Sequence, residues 1–287
     1  MNRYHSLALA IVISLVVPAT LHAQAKTAAA DSTFIVKLLG EAAQLPASTC
    51  LPLHFARQFL GCPYVAHTLE VNDREQLVVN TRQLDCTTLV ENVAALTLCA
   101  RQHKTTMADF RRQLTRLRYR QGTLDGYTSR LHYFSDWIDD KRDMGFVTEV
   151  QQPNPPFTAV QTLNIHYMSR HPEAYKALKA HPEMVSAIAQ LEQELTGRRY
   201  RYIPKSKVTN TQLLRRTVRD GDIIAITCNK PGLDIAHLGF AVWRADGLHL
   251  LNASQLHKRV VEEPMTLGTY LSKHPSHTGI RVVRLNP

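Results

Sequence analysis

The first residue that could do chemistry is Cys86, which lies near the start of the apolar segment from Leu84 to Ala100. Asp85, directly before it, is a good helix N-cap, because its carboxylate can accept hydrogen bonds from backbone N–H groups of the first turn. Cys86 would then occupy the first helical position, where the partial positive charge of the helix N-terminus stabilises a thiolate. The segment predicts a nucleophile at the mouth of a buried helix. A core cysteine that happens to lie at a helix start is the alternative.

Two residues in the last third of the chain are the partners that a nucleophilic cysteine needs. His237 begins a predicted strand, Asn252 lies near the end of the next one, and Asp246-Gly247 between them is a strong hairpin signal. Hairpin pairing can place both side chains on one face of the sheet. A histidine that takes the thiol proton and an amide that orients it would complete a Cys-His-Asn triad. Because the chain has 14 histidines, an ordinary strand histidine is the alternative.

A third chemical feature is the segment YTSRLHYFSDWI, residues 127–138, which concentrates aromatic and charged side chains with little periodicity. An arginine can grip a carboxylate through two hydrogen bonds, and an aromatic ring suits the apolar face of a sugar. The segment can therefore line a sugar and peptide groove, and an ordinary packed loop is the alternative. The candidate contact residues are Tyr127, Ser129, Arg130, His132, Tyr133 and Trp137.

The elements that would position these residues are helical in the first two thirds of the chain and extended in the last third. Predicted helices cover 31–43, 53–60, 84–100 and 107–117, with two further runs in 173–195 that break at His181-Pro182. Predicted strands cover 222–227, 238–243, 249–252 and 280–285, with shorter extended segments at 77–80 and within 159–168. The pattern predicts an α+β fold in which helices pack on one face of an antiparallel sheet.

Residues 1–25 have the features of a secretory signal. Arg3 precedes a short apolar run, and Ala23-Gln24-Ala25 allows cleavage after Ala23 or Ala25. We expect residues 26–287 to form a single catalytic domain with helical elaborations, located in the periplasm or outside the cell. No later segment is apolar for long enough to span a bilayer, so we expect no stable membrane anchor; an uncleaved anchor is the weaker alternative.

The formal net charge of +10 suggests an anionic partner such as a cell-wall polymer or a membrane surface, and nucleic acid is less expected in that compartment. The densest basic stretches are 116–120 and 198–201, and such stretches are more often solvated faces than polyanion sites.

Five cysteines leave at least one unpaired, although Cys50 and Cys62 are close enough in sequence to bridge. The chain has neither an H-E-x-x-H motif nor paired C-x-x-C motifs, so we expect no bound metal, and we expect no cofactor.

Ordered motifs give the chain a resemblance to a known family. They are Gly61-Cys62-Pro63-Tyr64-Val65, residues 84–90, Ala236-His237-Leu238-Gly239-Phe240 and Leu251-Asn252-Ala253-Ser254. In this order they resemble the motifs of NlpC-type cell-wall cysteine peptidases, whose papain-like fold packs the cysteine helix on an antiparallel sheet. Segments 69–79, 127–138 and 232–239 look like the narrower subfamily of AmiA-like N-acetylmuramoyl-L-alanine amidases. The resemblance covers about residues 53–285. The chain departs from the usual pattern in having threonine at position 87 and asparagine, where many members have histidine, at position 252.

The resemblance implies hydrolysis of the amide bond between a muramic acid lactyl group and the L-Ala of its stem peptide. Small released muropeptides, with an anhydro-muramic end, would be the substrates. By motif position, Cys86 is the nucleophile, His237 the base and then the acid, and Asn252 the residue that orients His237. Tyr64 would line the cleavage site, and Asp85 would help to hold the stem peptide. Asp234, near His237, is either a support for the site or a turn residue.

Other functions are compatible with the same residues. An endopeptidase of this superfamily would cut between D-Glu and the diamino acid of the stem peptide with the same thiol chemistry. An acyltransferase would pass the same thioester to an amine. A non-catalytic cell-wall-binding protein would explain the basic charge without any need for a reactive cysteine.

Overall fold

The computed structural model describes residues 19–152 and 154–287, with side chains from residue 27 onward. Most of the predicted signal, residues 1–18, lies outside the described residues. The α-helices in the described part are α1 (Ala19–Ala42), α2 (Leu51–Gln58), α3 (Cys86–Arg101), α4 (Met107–Arg118), α5 (Phe134–Asp143), α6 (Tyr167–Arg170), α7 (Lys176–Ala180), α8 (Met184–Leu195), α9 (Gln212–Thr217) and α10 (Leu267–Ser272). None of the described helices has both the length and the apolar character needed to cross a membrane.

The strands form one antiparallel sheet. They are β1 (Val147–Val150), β2 (Ala159–Thr162), β3 (Arg199–Pro204), β4 (Ile223–Cys228), β5 (Ile235–Trp243), β6 (Leu248–Ser254), β7 (Arg259–Glu262) and β8 (His277–Leu285). The order across the sheet is β2-β3-β8-β4-β5-β6-β7, and β1 also pairs with β8. Strands β5 and β6 form the predicted hairpin, with Phe240 opposite Leu251 and a turn closed by Arg244 and Gly247. The predicted α+β class is confirmed.

Helices cover both faces of this sheet, so the prediction that they pack on one face is wrong. Strand β4 is buried along its whole length, and its side chains alternate between two cores. Ile223 and Ala225 join the core built with α1 to α5, whereas Ile224 and Ile226 join a second core. The second core is closed partly by α9 and α10, each six residues long, which are too short to give a recognisable helical period.

Helix α3 is the central helix of the first core, and it was predicted nearly to its ends. Asp85 is its N-cap: Asp85 Oδ1 accepts from Thr88 N at 2.8 Å, and Thr88 Oγ1 accepts from Asp85 N at 2.9 Å. These reciprocal bonds satisfy N–H groups that a helix start would otherwise leave unpaired. Beyond the first turn almost every side chain of α3 is buried, so the position of Cys86 is set by a rigid element.

Glu91 is a buried charged residue of α3, and it forms an ion pair with Arg118 of α4. Arg118 Nε donates to Glu91 Oε2 at 2.7 Å, each side chain is 2% exposed, and Arg118 Nη1 also donates to Val78 O. Removing one member of such a pair leaves the other charge buried without a partner. We expect Arg118→Met to lower the free energy of unfolding by about 3–5 kcal/mol in chemical denaturation.

Arg112→Ala is the control for this prediction, because its ion pair with Asp109 lies at the surface and Arg112 is 65% exposed. It should change the free energy of unfolding by less than about 1 kcal/mol. Equal, small losses in both variants would contradict the structural role given to the Arg118–Glu91 pair.

One local prediction near the N-terminus is wrong: the helix predicted to start near Asp31 begins earlier, as part of the longer α1. Asp31 Oδ1 instead accepts from Thr81 N and Thr81 Oγ1 at 3.1 and 2.6 Å. The segment 77–80, predicted to be a short strand or an extended approach to α3, is an irregular segment rather than a strand. All five cysteines are free, and Cys50 and Cys62 each hydrogen-bond a backbone carbonyl, of Asp220 and Thr81 respectively, instead of bridging.

Candidate active site

Cys86 is the first residue of α3 and lines a cavity of about 170 Å³ together with His237. Its side chain is half-buried. The first N–H groups of a helix have no acceptor within the helix. Among the described residues no group accepts from the backbone N–H of Cys86. This N–H is therefore a free donor in the same residue as the sulfur. It could stabilise the oxyanion that forms when the sulfur attacks a carbonyl carbon.

The resting thiol differs from the thiolate that the helix position suggested. Burial, together with the negative charge of Asp85, raises the pKa of the Cys86 thiol to about 12. Hydrogen bonds from the backbone of Leu238 and from Thr87 act in the opposite direction but are weaker than these effects. Desolvation therefore opposes the stabilisation of a thiolate that the helix terminus was expected to provide.

His237 and Asn252 meet across the β5–β6 hairpin. His237 Nε2 lies 2.9 Å from Asn252 Oδ1, and Asn252 is completely buried. Continuing the strand register places Asn252 opposite Gly239, so the two side chains lie on one face, diagonally across the pair. A Cβ on Gly239 would meet Leu251 O at 2.6 Å, so the close strand approach requires glycine there.

His237 is held in its neutral form. Burial lowers the pKa of its imidazole below the ordinary 6.5, and the charge of His274 adds to this effect. The hydrogen bond to Asn252 and the negative charges of Glu263 and Asp85 raise the same pKa, but do not overcome burial. A neutral imidazole that shares a cavity with a thiol can act as a general base.

The groove around Cys86 extends well beyond the first cavity. A second cavity of about 200 Å³ shares Leu131 and His132 with it, and a third of about 350 Å³ shares Leu69 and Glu70 with the second. The three cavities therefore adjoin in a line that starts at Cys86. A groove of this extent can take an elongated ligand rather than a single small group.

Arg130 lies beside this groove, but its charge is already paired. Its guanidinium contacts the carboxylate of Glu70 and lies 3.6 Å from Glu75 Oε1, and it stacks over the ring of Tyr127 at 4.8 Å. Arg130 is 6% exposed. A substrate carboxylate would have to displace one of these glutamates to reach it. In the structure Arg130 instead positions Glu70 and Tyr127, both of which line the third cavity.

Three of the other predicted contact residues line the first cavity: His132, Tyr133 and Asp234. Burial, reinforced by Arg130, lowers the pKa of His132 to about 3, and His132 Nε2 lies 2.9 Å from Tyr127 O. Tyr133 donates to Glu192. Asp234 Oδ2 accepts from Ser135 N at 2.6 Å, so it ties the start of β5 to the first turn of α5.

Two predicted contact residues lie elsewhere. Trp137 is 1% exposed and stacks on Phe134 in the core, because it lies on the inner side of α5. Ser129 hydrogen-bonds Asp125 and Gly126 within its own turn. Neither residue lines a described cavity, so a substrate contact from either would need a rearrangement.

Tyr64 and Asp85 lie at the Cys86 end of the groove. Burial, which has the largest effect, raises the pKa of Tyr64 to about 12. The negative charges of Cys86 and Asp85 add to this effect because both residues lie close to Tyr64. Asp85 lines the second cavity while its carboxylate caps α3. Its capping role leaves only part of the carboxylate for a ligand.

Sequence reasoning missed several residues of the site. Met168 and Tyr175 line the first cavity from the insertion that carries α6 to α8, and no local pattern marks them. It also missed Glu263, a buried carboxylate that contacts Asn252 and that looks like a charged turn residue before Pro264 in the sequence.

Within the described residues no group of three or more His, Cys, Asp or Glu side chains could hold a metal ion.

Three of the six arginines in the basic stretches of the sequence form ion pairs within the fold. Arg118 pairs with Glu91, Arg120 with Asp136 and Arg198 with Asp139. These cations neutralise internal carboxylates. They are therefore poor candidates for a polyanion surface.

Comparison with known proteins identifies the family. The model of a family described as AmiA-like, N-acetylmuramoyl-L-alanine amidase-like, matches residues 54–280. An N-acetylmuramoyl-L-alanine amidase from Bacteroides uniformis is 42% identical, with a TM-score of 0.77, over 83% of this chain and 98% of the amidase. The chain belongs to the AmiA-like family. No match was found among curated proteins.

Two further solved structures share the fold. A Bacteroides fragilis protein with the provisional name of a xylanase is 43% identical, with a TM-score of 0.76, over 81% of this chain and all of that protein. A Legionella pneumophila protein is 21% identical, with a TM-score of 0.67, over 92% of this chain and 97% of its own length. The last likeness concerns the fold alone.

Proposed function

We propose that this member of the AmiA-like family is a cysteine-dependent N-acetylmuramoyl-L-alanine amidase acting on fragments of peptidoglycan. The observation that carries the proposal is the cavity in which Cys86, at the start of α3, lies with His237, whose ring is bonded to Asn252. These are the parts of a thiol hydrolase with an NlpC-type, papain-like arrangement. The amidase assignment draws on the family and on the Bacteroides uniformis amidase.

The first half of the reaction transfers an acyl group to the sulfur. His237 accepts the Sγ proton as the sulfur attacks the lactyl carbonyl carbon, and the carbonyl oxygen becomes an oxyanion that the Cys86 N–H can stabilise. When the oxyanion collapses, the C–N bond breaks. His237 returns the proton to the departing nitrogen of L-Ala, and a thioester of the muramic lactyl group remains on Cys86.

The second half releases the sugar acid. Water gives a proton to His237 as its oxygen attacks the thioester carbon, and the C–S bond then breaks. The proton returns to the sulfur, so the resting neutral pair is restored. Asn252 keeps the imidazole in one orientation through both halves.

A glycosidase mechanism has less support at this site. Glycoside hydrolysis by the usual route needs two carboxyl groups, one as an acid and one as a nucleophile or base. Asp85 directly precedes Cys86 and Asp234 lines the first cavity, and both carboxylates accept hydrogen bonds from backbone N–H groups at helix starts. The cysteine, the histidine and a free N–H donor fit acyl transfer better.

The groove suggests soluble fragments as substrates. Its adjoining cavities, which extend from Cys86, have room for a sugar and a short peptide. We therefore propose released muropeptides with an anhydro-muramic end, cleaved in the periplasm or outside the cell after removal of a signal near Ala23 or Ala25. Tyr64, Tyr127, His132 and Tyr133 are the proposed contacts.

Product analysis on a defined anhydro-disaccharide tetrapeptide tests this function. Mass spectrometry is expected to find free disaccharide and intact tetrapeptide. A cut between D-Glu and the diamino acid would replace the amidase with the endopeptidase. A new conjugate after addition of an amine would indicate an acyltransferase, and no cleavage would favour a binding protein.

Substitution of Arg130 tests whether the residues that it positions contribute to substrate binding. Arg130→Ala should raise KM for the muropeptide by about tenfold and change kcat less, because Glu70 and Tyr127 lose their support while Cys86 and His237 keep their places. Steady-state kinetics measure both constants, and thermal unfolding records the loss of stability.

Arg142→Ala is the matched control, because Arg142 also pairs with two carboxylates but lines no described cavity. Its KM should equal that of the wild type. An unchanged KM in Arg130→Ala would remove Arg130 and its partners from substrate binding.

A further inference from the structure

We propose that Glu263 is a positioning residue that sets the tautomer of His237 by fixing which way the Asn252 amide points. The inference rests on the proposed function for its kinetic test, but its structural test does not. Glu263 is 1% exposed and lies behind Asn252, on the side away from His237. No part of the mechanism above uses it.

The contacts of Glu263 leave the Asn252 amide one favourable orientation. Asn252 Nδ2 donates to Glu263 Oε1 at 3.0 Å. A carboxylate only accepts, so turning the amide over would set Asn252 Oδ1 against Glu263 Oε1, acceptor against acceptor. In a buried site that repulsion is weakly screened, and Nδ2 would lose its charge-assisted hydrogen bond to Glu263.

The fixed amide then fixes the imidazole. Asn252 Oδ1 faces His237 Nε2 at 2.9 Å and can only accept, so Nε2 must carry the ring hydrogen. The lone pair is left on Nδ1, which is the nitrogen available to take the Cys86 proton. With the amide reversed, Nε2 would have to accept and Nδ1 would carry hydrogen, and the base would be lost.

Glu263 is itself held firmly. Its backbone N–H donates to Leu250 O, and its carbonyl accepts from His249 Nδ1, both at 2.8 Å. Its second carboxylate oxygen lies 3.1 Å from His257 Nε2. The carboxylate is thus anchored to β6 on one side and to a partly exposed histidine on the other. Its negative charge also favours the imidazolium that forms during catalysis, through the intervening amide.

Two substitutions separate the hydrogen bond from the charge. Glu263→Leu removes both, and we expect kcat to fall by ~100-fold with KM nearly unchanged, because the wrong tautomer of His237 becomes populated. Glu263→Gln keeps an acceptor for Asn252 and removes the charge. It should fold more readily and lose only ~10-fold in kcat, a partial rescue.

The control is Asp222→Asn. The Asp222 carboxylate is 2% exposed and pairs with Arg284. Asp222 lies directly before β4, where its carbonyl accepts from Ala241 N of β5. Its loss should lower stability without changing kcat. If Asp222→Asn lowered kcat as much as the Glu263 variants do, the effect of Glu263 would be general destabilisation and the proposal would be overturned.

Nitrogen-15 NMR of the histidine rings supplies the test that needs no substrate, with the His237 signals assigned from a His237→Ala sample. The wild type should show hydrogen on Nε2 of His237, Glu263→Leu should show more hydrogen on Nδ1, and Glu263→Gln, which keeps an acceptor for Asn252, should lie between the two. The same tautomer in all proteins would overturn the proposal. A wild type that fails to cleave muropeptides would refute the proposed function, and the NMR result would still decide the role of Glu263.

Discussion

Replacing Cys86 with alanine is expected to lower kcat by at least ~10⁴-fold, because the thiol that forms the acyl intermediate is removed. The fold should survive, since the cysteine caps nothing: the helix start is held by Asp85 and Thr88. Hydrolysis of a defined muropeptide, followed by product mass spectrometry, gives the rate. Circular dichroism and the unfolding temperature check that the variant is folded.

Cys50→Ala is the matched control for this substitution. Cys50 is also a free, partly buried cysteine, but its thiol donates to Asp220 O and it lines no described cavity. Its rate should be that of the wild type. Substantial hydrolysis by Cys86→Ala would refute the thiol mechanism, whatever bond is cut.

Replacing His237 with alanine should lower kcat by ~10³–10⁴-fold, because the buried thiol of Cys86, with a pKa near 12, then has no base to take its proton. The remaining rate should rise with pH, as hydroxide in solution takes over the removal of the proton. His171→Ala is the control, since His171 is half-exposed, contacts Glu173 and the ring of Tyr167, and lines no described cavity. Equal rates in the two variants would exclude His237 as the base.

The wild-type pH profile follows from the same base. His237 works only when unprotonated, so kcat/KM should increase as pH rises through its pKa. Burial lowers that pKa from 6.5, so the midpoint of the acid limb should lie below pH 6.5. A midpoint well above 6.5 would mean that a thiolate–imidazolium pair exists at rest.

The features that the sequence predicted are those with local causes. Asp85 and Thr88 cap α3 through neighbouring backbone groups, and the apolar rows behind Cys86 require burial. The turn at Gly247 joins two apolar strands, and a two-residue alternation sets which side chains share a face. The hairpin pattern alone could therefore bring His237 and Asn252 together, although only the resemblance singled them out among similar residues.

The features that it missed depend on distant partners. Helix α5 lacks a polar face because Asp136, Asp139 and Asp140 are buried and bonded to residues far along the chain. Without an exposed face its period is hidden. Arg130 looked free for a substrate because Glu70 and Glu75, which pair with it, are separated from it by more than fifty residues.

The most direct measurement of the central claim is the mass of the intact protein after rapid acid quenching during turnover of an anhydro-disaccharide tetrapeptide. We expect an adduct equal to the anhydro-disaccharide acyl group, carried by Cys86 in the digested protein and missing from Cys86→Ala. The adduct identifies both the nucleophile and the bond, since the acyl group that stays behind ends at the carbonyl that was attacked. An adduct that also contains L-Ala and D-Glu, or one on another residue, would contradict the account.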